Sequence, residues 1–464
     1  MADDIATRSA SELASSIRAG ELSSRELLDC YLDRIERLGA PVNAVVTIDA
    51  ERARAEARQA DDDAARGNWR GPLHGLPITI KDAIEVGGMR STGGAVELRD
   101  HVPAHDAPAV ARLRDAGAVV FGKTNVPRWS GELQTFNEIF GTTNNPWALD
   151  RIPGGSSGGA AAAVACGFTS FEVGTDIGGS VRIPSHCCGT FALKPSYGVV
   201  PQRGYLDHVG GGLTDVDINV FGPIARSAAD LDLLLGVLAA PAPELALAWR
   251  LELPPSRRHD VSEWRVGVWF EAPDIPIDRD ELALLRNAAD RLADAGARVE
   301  DAHPPIDFGA QRDLFFSMIT AAIAPSMDDD LAEIAGGAHL AWLRADDQRA
   351  KFAAIWAEWF EQYDALLCPV LPVPAFAHQQ QPDFMERTLT INGEVHPHVI
   401  LVAWLGLIGV VDLPSAVAPI GRTPQGLPIG IQVVAPYLRD REAVRLCDIV
   451  AAVSGGGYVV PPGF

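Results

Sequence analysis

Two glycine-rich segments carry the hydroxyls from which chemistry is most readily built: Pro153-Gly154-Gly155-Ser156-Ser157-Gly158-Gly159 and Gly174-Thr175-Asp176-Ile177-Gly178-Gly179-Ser180-Val181-Arg182. A serine hydroxyl is a weak nucleophile until a nearby base accepts its proton, and neither segment contains a histidine. The first runs into the alanine-rich stretch Ala160 to Ala165, as a phosphate cradle at a helix N-terminus would. A P-loop, however, needs Lys followed by Ser or Thr after its last glycine, where Ala160 and Ala161 stand. The dinucleotide fingerprint needs G-x-G-x-x-G, whereas these glycines come in adjacent pairs. In the second segment, the backbone N–H groups of Ile177, Gly178, Gly179 and Ser180 can converge on one oxygen, because two glycines let the chain turn inward. That is what an oxyanion hole requires, although an ordinary glycine-rich turn has the same composition.

A base is available in Gly75-Leu76-Pro77-Ile78-Thr79-Ile80-Lys81-Asp82, an apolar strand ending in a lysine. Most such lysines snorkel to water. One can act as a base when burial and distance from carboxylates bring its pKa towards neutrality. Asp82 follows Lys81 on the strand and so projects from the opposite face. His186, close to the second loop, reads as a core or turn residue.

These segments, together with Gly122-Lys123-Thr124-Asn125, Asn145-Pro146-Trp147, Lys194-Pro195-Ser196-Tyr197-Gly198 and Gly222-Pro223, resemble the amidase signature family of serine hydrolases. They fall in the family's order over about 160 residues, and weaker matches at Tyr363 to Pro374 and Gly426 to Val433 extend the likeness over most of the chain. The stretch Gly122 to Trp147 is similar to the branch containing fatty acid amide hydrolases. The resemblance implies Ser180 as nucleophile, Ser156, in a cis peptide, as the bridging serine, and Lys81 as base. It also implies an oxyanion hole from Ile177, Gly178, Gly179 and Ser180. Around that set it implies a buried Asp176–Arg182 pair, Ser157 and Thr175 hydrogen-bonding to the triad, and Ser130, Gly131, Glu132 and Leu133 lining the acyl side of the pocket. The implied activity is hydrolysis of neutral, fairly apolar amides, anilides or carbamates, with esters also cleaved, through an acyl-enzyme. No metal or other cofactor is expected.

The elements that must position these groups follow from the surrounding pattern. Ser9 with Glu12, and Ser23 with Glu26, precede apolar residues at helical spacing, so two capped helices are expected over about 9–38. β-Branched runs at Leu76 to Ile80, Ala118 to Phe121 and Phe171 to Gly174 alternate with glycine- and proline-rich turns, giving an α/β reading for the centre. Pro241 to Asp260 is a surface connection. A βαβ unit follows, with strands at Trp264 to Phe270 and Ala297 to Val299 and a helix over Asp280 to Ala295. Helices are expected through Gln311 to Tyr363, strands at Ala365 to Val370 and Ile429 to Val434, and a last helix over about Arg439 to Val453. Phe315, Phe316, Trp356 and Trp359 fit either a substrate wall or ordinary core, Asn125 orders a loop, and His396-Pro397-His398 reads as a surface loop. Length alone suggests two or three domains. The resemblance instead implies one α/β domain over 1–464, built on a large twisted mixed sheet flanked by helices on both faces. Its signature core spans about 65–235, and a C-terminal half, about 262–464, completes the sheet and pocket.

Composition removes other classes. The 464 residues carry a formal charge of −22, which opposes a nucleic-acid partner because phosphate binding needs clustered Lys and Arg. Met1-Ala2-Asp3-Asp4 shows neither the basic nor the apolar part of a secretory leader. The apolar run Val399 to Val411 is too short to span a membrane and reads as buried core. The six cysteines lack disulfide or zinc spacing and suit reduced thiols. The expectation is a cytoplasmic monomer or homodimer acting on a small molecule with water.

Overall fold

In the computed structural model, which describes residues 5–382 and 384–464, local signals set the first elements as read. The tetrapeptide inspected for a leader lies outside the described residues. Ser9 and Ser23 cap the helices Ala10–Arg18 and Ser24–Leu38, each through a reciprocal box with the glutamate three positions on. The strands in chain order are β1 (Val45–Ile48), β2 (Pro77–Lys81), β3 (Val119–Thr124), β4 (Phe136–Asn137), β5 (Gly141–Thr142), β6 (Glu172–Asp176), β7 (Phe191–Lys194) and β8 (Val220–Ala225), followed by β9 (Arg265–Val268), β10 (Arg298–Asp301), β11 (Ala365–Pro369), β12 (Thr388–Ile391), β13 (Glu394–Pro397), β14 (Ser415–Arg422) and β15 (Pro428–Val434).

Eight of them form one mixed sheet in the order β10-β9-β11-β15-β14-β7-β8-β6. The expected βαβ unit is its parallel edge: β9 and β10 pair in parallel, joined by the helix Arg279–Asp294, and β11 adds in parallel to β9. The remaining pairs are antiparallel. Alternate residues of the central strands enter two different cores. Ala365, Leu367, Ala416, Ala418 and Leu193 pack on one side, and Leu366, Cys368, Val417 and Ala192 on the other. The period of two therefore buries both faces of the sheet, as it must where helices cover each. The helix Asp440–Ser454 covers the first face, and Gly158–Ala165, Phe308–Ile323 and Ala403–Gly409 the second. This is the single-domain α/β architecture with a large mixed sheet that the resemblance implied.

A second sheet, β1-β3-β2, places Lys81 at the end of β2 beside Thr124 of β3. Pro241 to Asp260 is largely exposed, as expected of a connection. The run Val399 to Val411 contributes Leu401 to Val411 to the buried core. The reading of His396 to His398 as a surface loop is corrected. Residues 394–397 form β13, hairpin partner of β12, and the His398 ring is buried edge-on to Phe376 and Phe384. A three-residue His-Pro-His pattern carries no periodicity from which that burial could be read.

Candidate active site

Lys81 is wholly buried, and its ammonium donates to Ser156 Oγ at 2.6 Å and to Thr175 Oγ1 at 2.7 Å. Burial brings its pKa down to about 7, against the opposing pull of Asp176 and Glu172. Asp82 does turn away: its carboxylate accepts from the hydroxyl of Thr92 and, at 3.1 Å, from the Thr92 N–H.

Ser156 follows a cis peptide from Gly155 and precedes the helix Gly158–Ala165. Gly155 has no room for a side chain, since a Cβ there would sit 2.5 Å from the carbonyl carbon of Leu133 and 2.6 Å from the Gln134 nitrogen. The two serine loops are joined by the backbone, Ser157 N–H donating to the Ser180 carbonyl at 3.1 Å. Ser180 is 5% exposed, and it lies between β6 and the helix Arg182–Cys188.

The conformation of the Ser180 loop is held by Asp176. Its carboxylate accepts from the N–H groups of Gly179 at 2.9 Å and Val181 at 3.1 Å, and from the Arg182 guanidinium through two nitrogens at 2.8 and 3.0 Å. Burial works to raise the Asp176 pKa, but Arg182 outweighs it and holds the carboxyl below its ordinary value. Arg182 in turn donates to the Leu405 carbonyl and to Gln432 Oε1, so both charges are fully paired inside the core.

The Gly179 N–H is spent on Asp176, whereas among the described residues those of Ile177, Gly178 and Ser180 have no protein acceptor. Phe315 and Ile319 lie over this loop, within 3.6 and 3.3 Å of where a Gly178 Cβ would be. Phe316 is partly buried beside Phe315. Trp356 and Trp359 are ordinary core, Trp356 bonded to Gln311 and Trp359 packed on Gly267 and stacked on Tyr363.

The structure brings Thr175 to Lys81 as expected, but the Ser157 hydroxyl reaches only the Thr175 carbonyl, at 3.4 Å. Of residues 130–133, Glu132 and Leu133 come against the serine loop, since Gly155 packs under 132–134. Trp129 and Ser130 adopt left-handed φ of 52° and 57°, unusual for side chains with a Cβ. Glu132 pairs at 2.6 Å with Arg387, a contact between distant parts of the chain. Asn125 orders its loop through the Gly141 carbonyl, Thr143 and Asn137. His186 is core, its ring between the Gly430 backbone and the Val373 carbonyl. Burial pushes its pKa down to about 4, so it stays neutral.

Ser156, on a buried lysine with its pKa near neutrality, and Ser180, on a loop joined to the first through the Ser157 N–H, make an arrangement able to activate a hydroxyl without histidine or metal ligands in it. Comparison with known proteins bears on the same point. The family model described as Amidase matches residues 26–336 and 307–444. The chain belongs to the amidase family. It is 32% identical to an indoleacetamide hydrolase of Bradyrhizobium diazoefficiens, over 97% of this chain and 87% of that protein. It is also 32% identical to the A-type subunit of a glutamyl-tRNA(Gln) amidotransferase from a Roseiflexus species, over 96% of each. The crystal structure of a bacterial aryl acylamidase of the amidase signature enzymes superimposes with a TM-score of 0.81, at 26% identity, covering 97% of this chain and 96% of that one. As a member of this family, the chain is a hydrolase acting on carbon–nitrogen bonds.

Sequence reasoning missed Glu172, Thr124 and Lys123 beneath the lysine, and Arg387 across from Glu132. An acidic residue between Phe171 and Val173 was a signal in plain view, because a buried strand rarely carries a charge without a partner.

Proposed function

We propose that this amidase hydrolyses neutral, fairly apolar amides, anilides or carbamates, and esters as well, by serine catalysis without a cofactor. The observation that carries the reading is the buried Lys81 on Ser156 Oγ, a lysine whose charged form burial disfavours enough to bring its pKa to about 7. In this mechanism Ser180 attacks the carbonyl, and its proton passes through Ser156 to Lys81. The N–H groups of Ile177, Gly178 and Ser180 hold the developing oxyanion, where fixed dipoles in a closed site act strongly. The proton returns to the leaving nitrogen, and water hydrolyses the acyl-enzyme by the same route. Ser130, Gly131, Glu132 and Leu133 line the acyl side. The apolar preference draws support from Phe315 and Ile319 above the loop and from relatives named for an indole acetamide and for aryl acylamides.

The same reading takes the chain as one domain that works in the cytoplasm as a monomer or homodimer. No helix of the described residues is long and apolar enough to cross a membrane, and all six cysteines are free thiols. The match to A-type subunits of amidotransferases supports a second reading, release of ammonia from glutamine for a tRNA-linked reaction. The charge of −22 favours the free-standing hydrolase.

A matched panel separates these readings: one acyl group on one chromogenic leaving group, offered as anilide, carbamate and aryl ester, with glutamine as a further substrate. Turnover of the panel and none of glutamine is expected. Turnover of glutamine alone would overturn the apolar-substrate assignment and leave the second reading.

A further inference from the structure

Beneath the lysine of the candidate site lies a carboxyl that the proposed proton transfer does not use. Glu172 is the first residue of β6, fully buried, in the strand that ends at Asp176. Its Oε1 accepts from Thr124 Oγ1 at 2.8 Å, and its Oε2 from the Val173 N–H at 2.9 Å. Thr124 is the register partner of Lys81 across the parallel β2–β3 pair. One hydrogen bond and one strand spacing therefore connect the carboxyl to the lysine.

The other charged groups facing this region have partners of their own. Asp176 is taken up by two nitrogens of Arg182. Asp82 is turned to Thr92, and Lys123 of β3 donates to the Ile84 carbonyl and to Ser91. Glu172 is held by neutral donors, while its field adds to that of Asp176 at Lys81 and of Asp82 at Lys123 and raises the proton affinity of both lysines. An apolar residue would cost less at this place, because a buried carboxyl with neutral donors alone is expensive to keep. What the carboxyl offers in return is a negative charge that Lys81 feels and that no direct ion pair among the described residues cancels.

We infer that Glu172 is the internal counter-charge of Lys81, a positioning residue that sets how readily the base gives up its proton without touching substrate. The inference rests on the reading of Lys81 as base. Carboxyl and lysine form a linked pair: ionised Glu172 holds the proton on Lys81, and protonated Glu172 releases it. Burial brings Glu172 up to about 7 and Lys81 down to about 7, so the charge of the carboxyl bears on the proton of the lysine. Such a pair keeps the buried site close to neutral while the base cycles.

The test is the pH dependence of kcat/KM for the full-length wild type, Glu172→Gln, Thr124→Val and Lys81→Met. Removing the negative charge lowers the proton affinity of Lys81, so in Glu172→Gln the acid limb should move down by about one pH unit, with KM unchanged. Thr124→Val withdraws the hydrogen bond that favours the ionised carboxyl and should move the limb the same way, by less; it serves alone should Glu172→Gln not fold. A limb that stays in place in both variants, or in Thr124→Val alone when Glu172→Gln cannot be made, overturns the role of Glu172 even if the rate falls uniformly, since a purely structural carboxyl changes amplitude and not midpoint. A limb that persists in the residual activity of Lys81→Met overturns the assignment of the base itself, a separate failure.

Discussion

Lys81 Nζ lies 2.6 Å from Ser156 Oγ, with both side chains sealed from solvent. A charged ammonium in that position loses its hydration and recovers two hydroxyl contacts, from Ser156 and Thr175, and the fields of Asp176 and Glu172, which offset burial in part. The neutral amine is the form that suits the place.

From this follows the pH dependence. Lys81 is expected to lose its proton at about pH 7, and the neutral form is the base, so kcat/KM for an uncharged anilide should rise through that region to an alkaline plateau. A pH–rate profile with a substrate that does not titrate checks this. An optimum in acid would contradict a lysine base.

Lys81→Met keeps the bulk of the side chain and removes the amine. Activity should drop by about a thousandfold or more, while the thermal transition stays at or above that of the wild type, because an apolar chain suits the cavity better. Calorimetry and anilide hydrolysis on the same preparation separate loss of chemistry from loss of fold.

Gly155→Ala probes the contact beneath the 132–134 loop. Its new Cβ would meet backbone atoms at 2.5–2.6 Å, which no rotamer change relieves. The expected cost is about 1–3 kcal/mol in chemical denaturation, with kcat falling further than stability because Ser156 is the next residue.

Glu281 lies buried in the first turn of the helix Arg279–Asp294; among the described residues its carboxyl oxygens have no hydrogen-bond partner, and the neutral His186 ring is 4.0 Å away. Burial drives its pKa well above the ordinary value. The folded state therefore holds a proton that the unfolded chain releases, and stability is lost as pH rises above the unfolded pKa. Glu281→Leu should stabilise by about 1–3 kcal/mol. The gain should be larger near pH 8 than near pH 5, as thermal melts at the two pH values would show.

How much of this was legible in the sequence depended on distance along the chain. Ser156, Ser180 and Lys81 sit in short motifs whose glycine pairs and apolar strand are local patterns. The capping boxes at Ser9 and Ser23 and the βαβ edge are equally local. Asp176 and Arg182, six residues apart, were also within reach. The Glu132–Arg387 pair joins residues 255 apart, and Arg182 meets Gln432 across 250. No periodicity encodes such meetings, because the sheet order brings those segments together. The bond from the Gly179 N–H to Asp176 lay beyond the sequence for a different reason: composition shows that a loop can turn inward, and only the fold shows which N–H meets Asp176.

The most direct measurement is intact-protein and peptide mass spectrometry during turnover of an activated aryl ester or anilide, stopped in acid. Serine catalysis at this site predicts that the acyl mass appears on the peptide carrying Ser180 in the wild type and is absent from Ser180→Ala, which should also lose turnover by about 10⁴-fold. Turnover that survives Ser180→Ala, or an acyl group found on another residue, would contradict the mechanism.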